Sequence, residues 1–205
     1  GDVYKRQIER WLPGPLPQDE LVEGCRASWP LDEPAVEPER WVLFHAEQYA
    51  RPGFPFGPFT PTTPCRWVCC RAAGAGLPRW VPEGFVFLAP GSGAAHALGP
   101  SLSTGLSCGR VGDPVLLRGL QEVIERDALV GAWWGRYALA EHDPDRILAG
   151  LGPSLAPRLL RPNLRYRCYR AASPFSSHVT VVTIEGEDRE GFCFSVGSAC
   201  RGPCA

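Results

Sequence analysis

The chain has 205 residues, of which 44% are hydrophobic and 21% charged, and its 21 basic and 22 acidic residues give a net charge of -1. This composition is typical of a soluble globular protein with enough apolar material for one good-sized domain or two small ones. It excludes bulk electrostatic attraction to nucleic acid, which needs a basic surface, and no apolar run reaches the roughly 20 residues that span a membrane. We therefore expect a cytoplasmic protein.

The nine cysteines are expected to be mostly reduced thiols, because their number is odd and no signal peptide precedes them. Cys65, Cys69 and Cys70 lie close together, and Cys200 and Cys204 are four apart. Structural zinc sites more often use two matched C-x2-C pairs, and neither group has that spacing. Buried or surface cysteines are therefore favoured over a metal–thiolate site.

The first half of the chain is predicted to contain little regular structure. Residues 8–11 read as the end of a helix that the following prolines stop, and residues 30–64 combine many prolines with aromatic residues. The aromatic residues predict an ordered loop packed on a core. Residues 66–70 and 84–89 are predicted to be short strands, with a turn at 72–76 between them.

A long helix is predicted over residues 113–136, with Asp113 as its N-cap and Pro114 in its first helical position. Its apolar residues recur at helical spacing. They are Leu116, Leu117, Leu120, Val123 and Ile124. We expect the pair Trp133 and Trp134 to pack in the core, because large aromatic side chains dominate packing.

The last third of the chain mixes helix and strand. One or two short helices are expected within residues 144–164, and strands at 165–170, 178–185 and 191–197. Strands and helices do not alternate in a strict βαβ rhythm, which favours an α+β fold over a doubly wound sheet.

The central helix carries a narrow stripe of alternating charge. Arg118, Glu122, Glu125 and Arg126 fall within an arc of roughly 100° on a helix of 3.6 residues per turn. Two carboxylates one turn apart can bind Mg²⁺, neighbouring arginines can pair with phosphate oxygens, and the glycine-rich stretch 103–112 can bring backbone amides to a phosphate. The same residues also make the ordinary i,i+4 ion pairs of a solvated helix face. Periodicity alone does not decide between these interpretations.

A family resemblance favours the first interpretation. Three segments closely resemble the central block of YcaO proteins, where a "TGLAAG" stretch leads into "ALLEVIERDA". They are TGLSCG at 104–109, LRGLQEVIERDA at 117–128 and the tryptophan pair at 133–134. Upstream, residues 66–68 and 81–82 resemble the family's "WV" and "VP" strands. Residues 47–49 and 54–56 resemble its middle segment, and Ile8–Trp11 resembles the last residues of its first acidic motif.

The likeness breaks off at both ends of the chain. The first acidic motif has a further Glu where this chain has Arg6, and a Ser where it has Asp2. We therefore interpret residues 8–205 as a partial YcaO domain, incomplete at both termini, and residues 1–7 as non-native or artefactual. The absence of Met from the whole sequence agrees with an incomplete chain. A phosphate-contacting Asn of the family falls near Arg110.

The resemblance implies an α+β fold of the YcaO type, with mixed or antiparallel sheets packed against helices, and it implies ATP and Mg²⁺ as cofactors. Carried over position by position, it makes Glu122, Glu125 and Glu9 the magnesium ligands. Arg126 would contact phosphate or orient those carboxylates, and Ser107 is a weaker candidate for the nucleotide site. It identifies no catalytic residue.

The resemblance also implies a reaction. In the cyclodehydratase branch, a Cys, Ser or Thr side chain of a precursor peptide adds to the preceding backbone carbonyl, and phosphorylation by ATP makes the former amide oxygen a leaving group. We expect an azoline-forming enzyme of natural product biosynthesis that acts with a leader-peptide-binding partner protein or domain, and the resemblance allows a homodimer. The alternatives are a thioamide- or amidine-forming relative, or a non-catalytic scaffold. The 205-residue chain by itself is expected to hydrolyse little ATP.

Overall fold

The computed structural model describes residues 21–71, 76–88, 98–110, 113–145, 149–150, 152–159, 161–188 and 191–201. The chain divides into two compact units, an N-terminal unit over Gly1–Ser103 and a C-terminal unit over Thr104–Ala205. Two predicted features lie outside the described residues. They are the helix end at 8–11, which contains Glu9, and most of the turn at 72–76. The single domain expected over residues 8–205 stays a prediction.

The N-terminal unit is built on a three-stranded antiparallel sheet in the order β1-β2-β3. Its strands are β1 at Leu21–Gly24, β2 at Cys65–Arg71 and β3 at Pro78–Pro82. Strand β2 confirms the prediction for residues 66–70. The strand predicted at 84–89 is wrong for its described residues, 84–88. A 3-10 helix forms at Glu83–Phe85, and the N–H groups of Val86 and Phe87 both donate to the carbonyl of Glu83.

The core of this unit surrounds Trp67 on β2, which is fully buried with Ala35, Phe59 and Leu98. The Trp67 indole Nε1 donates a hydrogen bond to the carbonyl of Gly24 at 3.0 Å, so the polar N–H of the buried ring has a partner. Two short 3-10 helices, at Arg26–Ser28 and Pro38–Arg40, belong to the loop between β1 and β2.

The proline-rich segment is ordered, as predicted. It contains helix α1 at Ala46–Tyr49, which begins with a capping box between His45 and Gln48. Phe44 contacts the rings of Tyr49, Phe54 and Phe56 at centroid distances of 5.0–5.8 Å. These edge-to-face and stacked pairs hold together a segment in which proline prevents ladder hydrogen bonding.

The C-terminal unit joins one long helix to a four-stranded antiparallel sheet in the order β4-β5-β6-β7. Its elements are α2 at Val115–Trp133, β4 at Leu139–His142, α3 at Ala156–Leu159, β5 at Leu164–Ala171, β6 at Val179–Asp188 and β7 at Gly191–Cys200. The strands predicted at 165–170, 178–185 and 191–197 are confirmed, and so is the α+β class. The exposed strand β4 was not predicted.

Helix α2 packs on the sheet through a small residue. Ala128 is fully buried against Ala171, Val179, Val181 and Cys200, and the side chains of Ile124, Leu129 and Tyr169 border this cluster. A side chain as small as alanine lets the helix approach the sheet closely.

The opposite face of α2 is apolar and exposed, with Leu116, Leu120 and Val123 all about half exposed or more. The expectation that Trp133 and Trp134 lie in the core is wrong, since they are 84% and 76% exposed. The helix also begins one residue later than predicted. Pro114 is the N-cap, and no side chain caps the first turn.

Candidate functional site

Glu125 is fixed to the sheet at the edge strand β7. Its Oε1 accepts a hydrogen bond from the Ser198 hydroxyl at 2.6 Å, and its Oε2 accepts one from the backbone N–H of Cys200 at 3.2 Å. Among the strands that the structure describes, β7 is the last in the sheet order, so none of them lies on its far side to pair with the Cys200 N–H. The carboxylate is therefore a part-buried, anchored group on the side of α2 that faces the sheet.

Glu122 lies one turn before Glu125 and is held more loosely. Its Oε1 is 3.4 Å from Nη2 of Arg126, and the two side chains are 29% and 48% exposed. A half-exposed i,i+4 pair at this distance contributes only a few tenths of a kcal/mol. Both groups can therefore exchange this contact for a ligand at little cost. Arg118, expected in the same stripe, contacts Asp113 Oδ2 at 3.5 Å.

The glycine-rich segment lies directly on the first turns of α2. A Cβ added to Gly119 would stand 2.5 Å from the Gly105 carbonyl oxygen and 3.7 Å from the Ser107 Cβ. Gly105 has φ +85°, a conformation that residues with a side chain rarely adopt. Two glycines thus allow the close approach that brings Ser107 beside the helix, one turn before Glu122.

Asp113 shapes the end of this segment instead of capping the helix. Its Oδ2 accepts a hydrogen bond from the backbone N–H of Arg110 at 3.0 Å, and its own N–H donates to the Arg110 carbonyl at 3.0 Å. This reciprocal pair fixes the backbone that enters α2. Arg110, near which the family's Asn is expected to fall, has an exposed side chain.

A groove of about 550 Å³ lies at the C-terminal end of α2, away from the two glutamates, lined by Asp127, Val130, Gly131, Trp134, Arg136 and Tyr137. In it the Tyr137 hydroxyl donates to Asp127 Oδ2 at 3.2 Å. Reduced hydration, and then this hydrogen bond, raise the pKa of Tyr137.

Residues 7–202 match a family model described as YcaO cyclodehydratase, ATP- and Mg²⁺-binding. The chain belongs to the YcaO family. No protein with a curated function matches it by sequence.

The YcaO fold is also found in three solved structures that resemble the chain. A heterocyclase in complex with substrate and cofactor is 16% identical, with a TM-score of 0.70 over 94% of this chain and 27% of that protein. The heterocyclase TruD is 17% identical, with a TM-score of 0.68 over 95% and 30%. YcaO from Methanopyrus kandleri bound with AMPPCP and Mg²⁺ is 20% identical, with a TM-score of 0.53 over 95% and 45%. The chain thus spans about a quarter to just under half of these proteins.

The segment that resembles the family's central acidic block forms helix α2, and four of the five expected site residues lie on this helix or against it. Glu122, Glu125 and Arg126 lie on consecutive turns of α2, Ser107 lies against its first turns, and Glu9 is outside the described residues. Among the described residues, no group of three or more His, Cys, Asp or Glu is placed to hold a metal ion. The roles of these residues stay predictions.

Sequence reasoning did not identify the two groups that hold Glu125. Ser198 and Cys200 are 73 and 75 residues away along the chain, and a single sequence carries no signal for such a contact. The cysteines that the structure describes are free thiols, as expected. Within the described residues, no helix combines the length and apolar character that crossing a bilayer requires.

Proposed function

We propose that the protein containing this chain uses ATP and Mg²⁺ to activate a backbone amide of a ribosomally made precursor peptide, and that the product is an azoline formed from Cys, Ser or Thr. The observation that carries this proposal is the family match over residues 7–202, with the family's acidic helix folded and its Glu125 anchored. The likeness to heterocyclases, one of them with substrate and cofactor, supports it.

The donor set of α2 fits Mg²⁺. This ion prefers oxygen ligands and is usually held by one or two carboxylates together with waters and substrate phosphates. Glu122 and Glu125 would supply two carboxylates, and Glu9 would supply a third from the family's first motif. Each oxygen of Glu125 accepts one hydrogen bond and keeps further lone-pair capacity for a ligand. Bound Mg²⁺ would neutralise negative charge on the ATP phosphates.

Arg126 and Ser107 would bind the nucleotide. The guanidinium of Arg126 is half exposed and is paired only weakly with Glu122, so it can turn toward a phosphate. Ser107 lies on a segment whose backbone is fixed against Gly119, so its hydroxyl and neighbouring N–H groups would be presented with little loss of entropy on binding.

The peptide chemistry follows from the poor leaving ability of an amide oxygen. The Cys, Ser or Thr side chain of the peptide adds to the preceding carbonyl carbon and loses its proton. The resulting oxygen then takes the γ-phosphoryl group of ATP and leaves as phosphate, and loss of the amide N–H proton forms the C=N bond of the ring. Residues of this chain would position the nucleotide and offset its charge. A leader-binding partner protein or domain would deliver the peptide.

The test uses Glu122→Gln and Glu125→Gln in the full-length protein with its precursor peptide. We expect each variant to lose peptide-stimulated phosphate release by at least about 100-fold while its circular dichroism stays native. Glu187→Gln, an exposed residue at the far end of β6, is the matched control and should keep wild-type turnover.

The mass of the product and the side chain consumed together decide between reactions. Loss of one water with loss of a Cys thiol or a Ser or Thr hydroxyl supports an azoline, loss of one water with loss of an amine indicates an amidine, and exchange of oxygen for sulfur indicates a thioamide. Wild-type phosphate release in both glutamine variants would remove α2 from the active site. The absence of any peptide-dependent phosphate release in the wild type would favour a non-catalytic scaffold.

A further inference from the structure

We infer that β7 supplies a positioning clamp for the Glu125 carboxylate, made of the Ser198 hydroxyl and the Cys200 backbone N–H. The inference rests on the proposed function, because it takes Glu125 as a ligand of the magnesium–nucleotide. Ser198 is a positioning residue in this arrangement, since it acts on Glu125 and not on substrate.

The clamp fixes the carboxylate at two points. Ser198 bonds Oε1 and the Cys200 N–H bonds Oε2, so each oxygen has its own donor. The 2.6 Å distance to the Ser198 hydroxyl is in the range of charge-assisted O–H···O⁻ bonds. One hydrogen bond would leave the terminal torsion of glutamate broad, but two bonds to different oxygens hold the carboxylate plane in one orientation.

The clamp takes its rigidity from the core. Residues two apart on a strand face the same side, so Ser198 and Cys200 both face α2. Their register partners on β6 are Val181 and Val179. Both valines and Cys200 are buried in the cluster around Ala128, which fixes β7 relative to the helix.

Hydrogen-bond partners of a metal ligand set its orientation, and their loss typically lowers metal affinity by 10–100-fold. Without Ser198, Oε1 of Glu125 would lose its donor, and the carboxylate could rotate about the remaining bond to Cys200. A role confined to joining the helix to the sheet would instead change thermal stability and leave metal affinity unchanged.

The experiment measures Mn²⁺ binding to the full-length protein by the electron paramagnetic resonance signal of free Mn²⁺, with a non-hydrolysable ATP analogue present. We expect Ser198→Ala to raise the Kd for Mn²⁺ by about 10–100-fold. Ser198→Thr keeps the hydroxyl and should stay within a few-fold of wild type, and Ser198→Cys, a weaker donor, should fall between. Ser195→Ala is the control, because Ser195 is on the same strand but faces the other side.

Two outcomes separate this inference from the proposed function. If Glu125→Gln abolishes Mn²⁺ binding while the alanine, cysteine and threonine variants at Ser198 all bind like wild type, the clamp is refuted and the metal assignment stands. If Glu125→Gln itself binds Mn²⁺ normally, Glu125 is not a ligand and the proposed function loses its site. The graded cysteine variant keeps the test decisive if the alanine variant folds poorly.

Discussion

Replacing Gly119 by alanine tests whether activity depends on the close contact between the glycine-rich segment and helix α2. The new Cβ would stand 2.5 Å from the Gly105 carbonyl oxygen, whereas carbon–oxygen contacts are ordinarily about 3.3–3.6 Å. The obstructing atom belongs to the backbone, at a glycine with φ +85°, so it cannot swing aside like the end of a side chain. Segment and helix must therefore separate by about 1 Å.

The expected cost has two opposing parts. Overpacking of this kind destabilises by about 1–3 kcal/mol, and removing a glycine from a helix interior stabilises by about 1 kcal/mol. The net loss in the free energy of unfolding is then about 0–2 kcal/mol. Activity should suffer far more, because a 1 Å displacement of a positioning group costs about 100-fold in rate and Ser107 moves with the segment.

The assay compares Gly119→Ala with Gly131→Ala by urea unfolding and by peptide-stimulated phosphate release in the full-length protein. Gly131 lies in the same helix and gains the same propensity, but its added Cβ would meet the ring of Tyr137 near the C-terminal end of the helix, away from Ser107 and Glu122. Gly131→Ala should therefore retain much more activity. A Gly119→Ala variant that is about 1 kcal/mol more stable than wild type and fully active would refute the reasoning.

Two further predictions concern the N-terminal unit. Glu83→Gln should destabilise this unit by about 3–5 kcal/mol, measured by urea unfolding followed by tryptophan fluorescence, because Arg66 stays buried after losing a charged partner 2.5 Å away. The double change Glu83→Leu with Arg66→Met should recover most of this loss, because it removes both buried charges. Equal stability of the single and double variants would contradict this prediction. Cys25 should be alkylated by iodoacetamide at pH 8 well before Cys65. Hydrogen bonds from Ser28 lower the pKa of Cys25, whereas burial raises the pKa of Cys65 to about 11. At pH 8 Cys65 therefore has about 100-fold less thiolate than an ordinary thiol. Peptide mass spectrometry would measure the alkylation rate of each cysteine. Equal rates for Cys25 and Cys65 would contradict the opposite shifts of their pKa values.

Local patterns predicted the elements of the C-terminal unit well. A short run of β-branched residues identified β6, and helical spacing identified α2. The same rules misplaced one strand of the N-terminal unit. β3 begins and ends with proline, at Pro78 and Pro82, which hides it from a pattern search, while the apolar run after Glu83 has the composition of a strand but folds back on itself.

Packing partners could not be predicted in the same way. The spacing of leucine and valine along α2 indicates an amphipathic helix, but it does not say which face meets the sheet. The face that packs is marked by Ala128, whose small size permits close approach, while Leu116 and Leu120 stay exposed. Trp133 and Trp134 are exposed as well. Ile124 and Leu129 border the buried cluster as well, so hydrophobicity alone does not separate the face that packs from the face that is exposed.

The packing of α2 bears on the choice between its two interpretations. A helix kept hydrated by charge would carry its glutamates on the exposed face and its leucines against the sheet. In this chain the exposed face carries leucine and valine, and Glu125 is on the side that meets β7. The solvated-face interpretation accounts for the loose pair of Glu122 and Arg126, but it gives no reason to remove a carboxylate from water and supply it with two donors. Such an arrangement costs hydration free energy and is expected where the carboxylate must be held in one orientation.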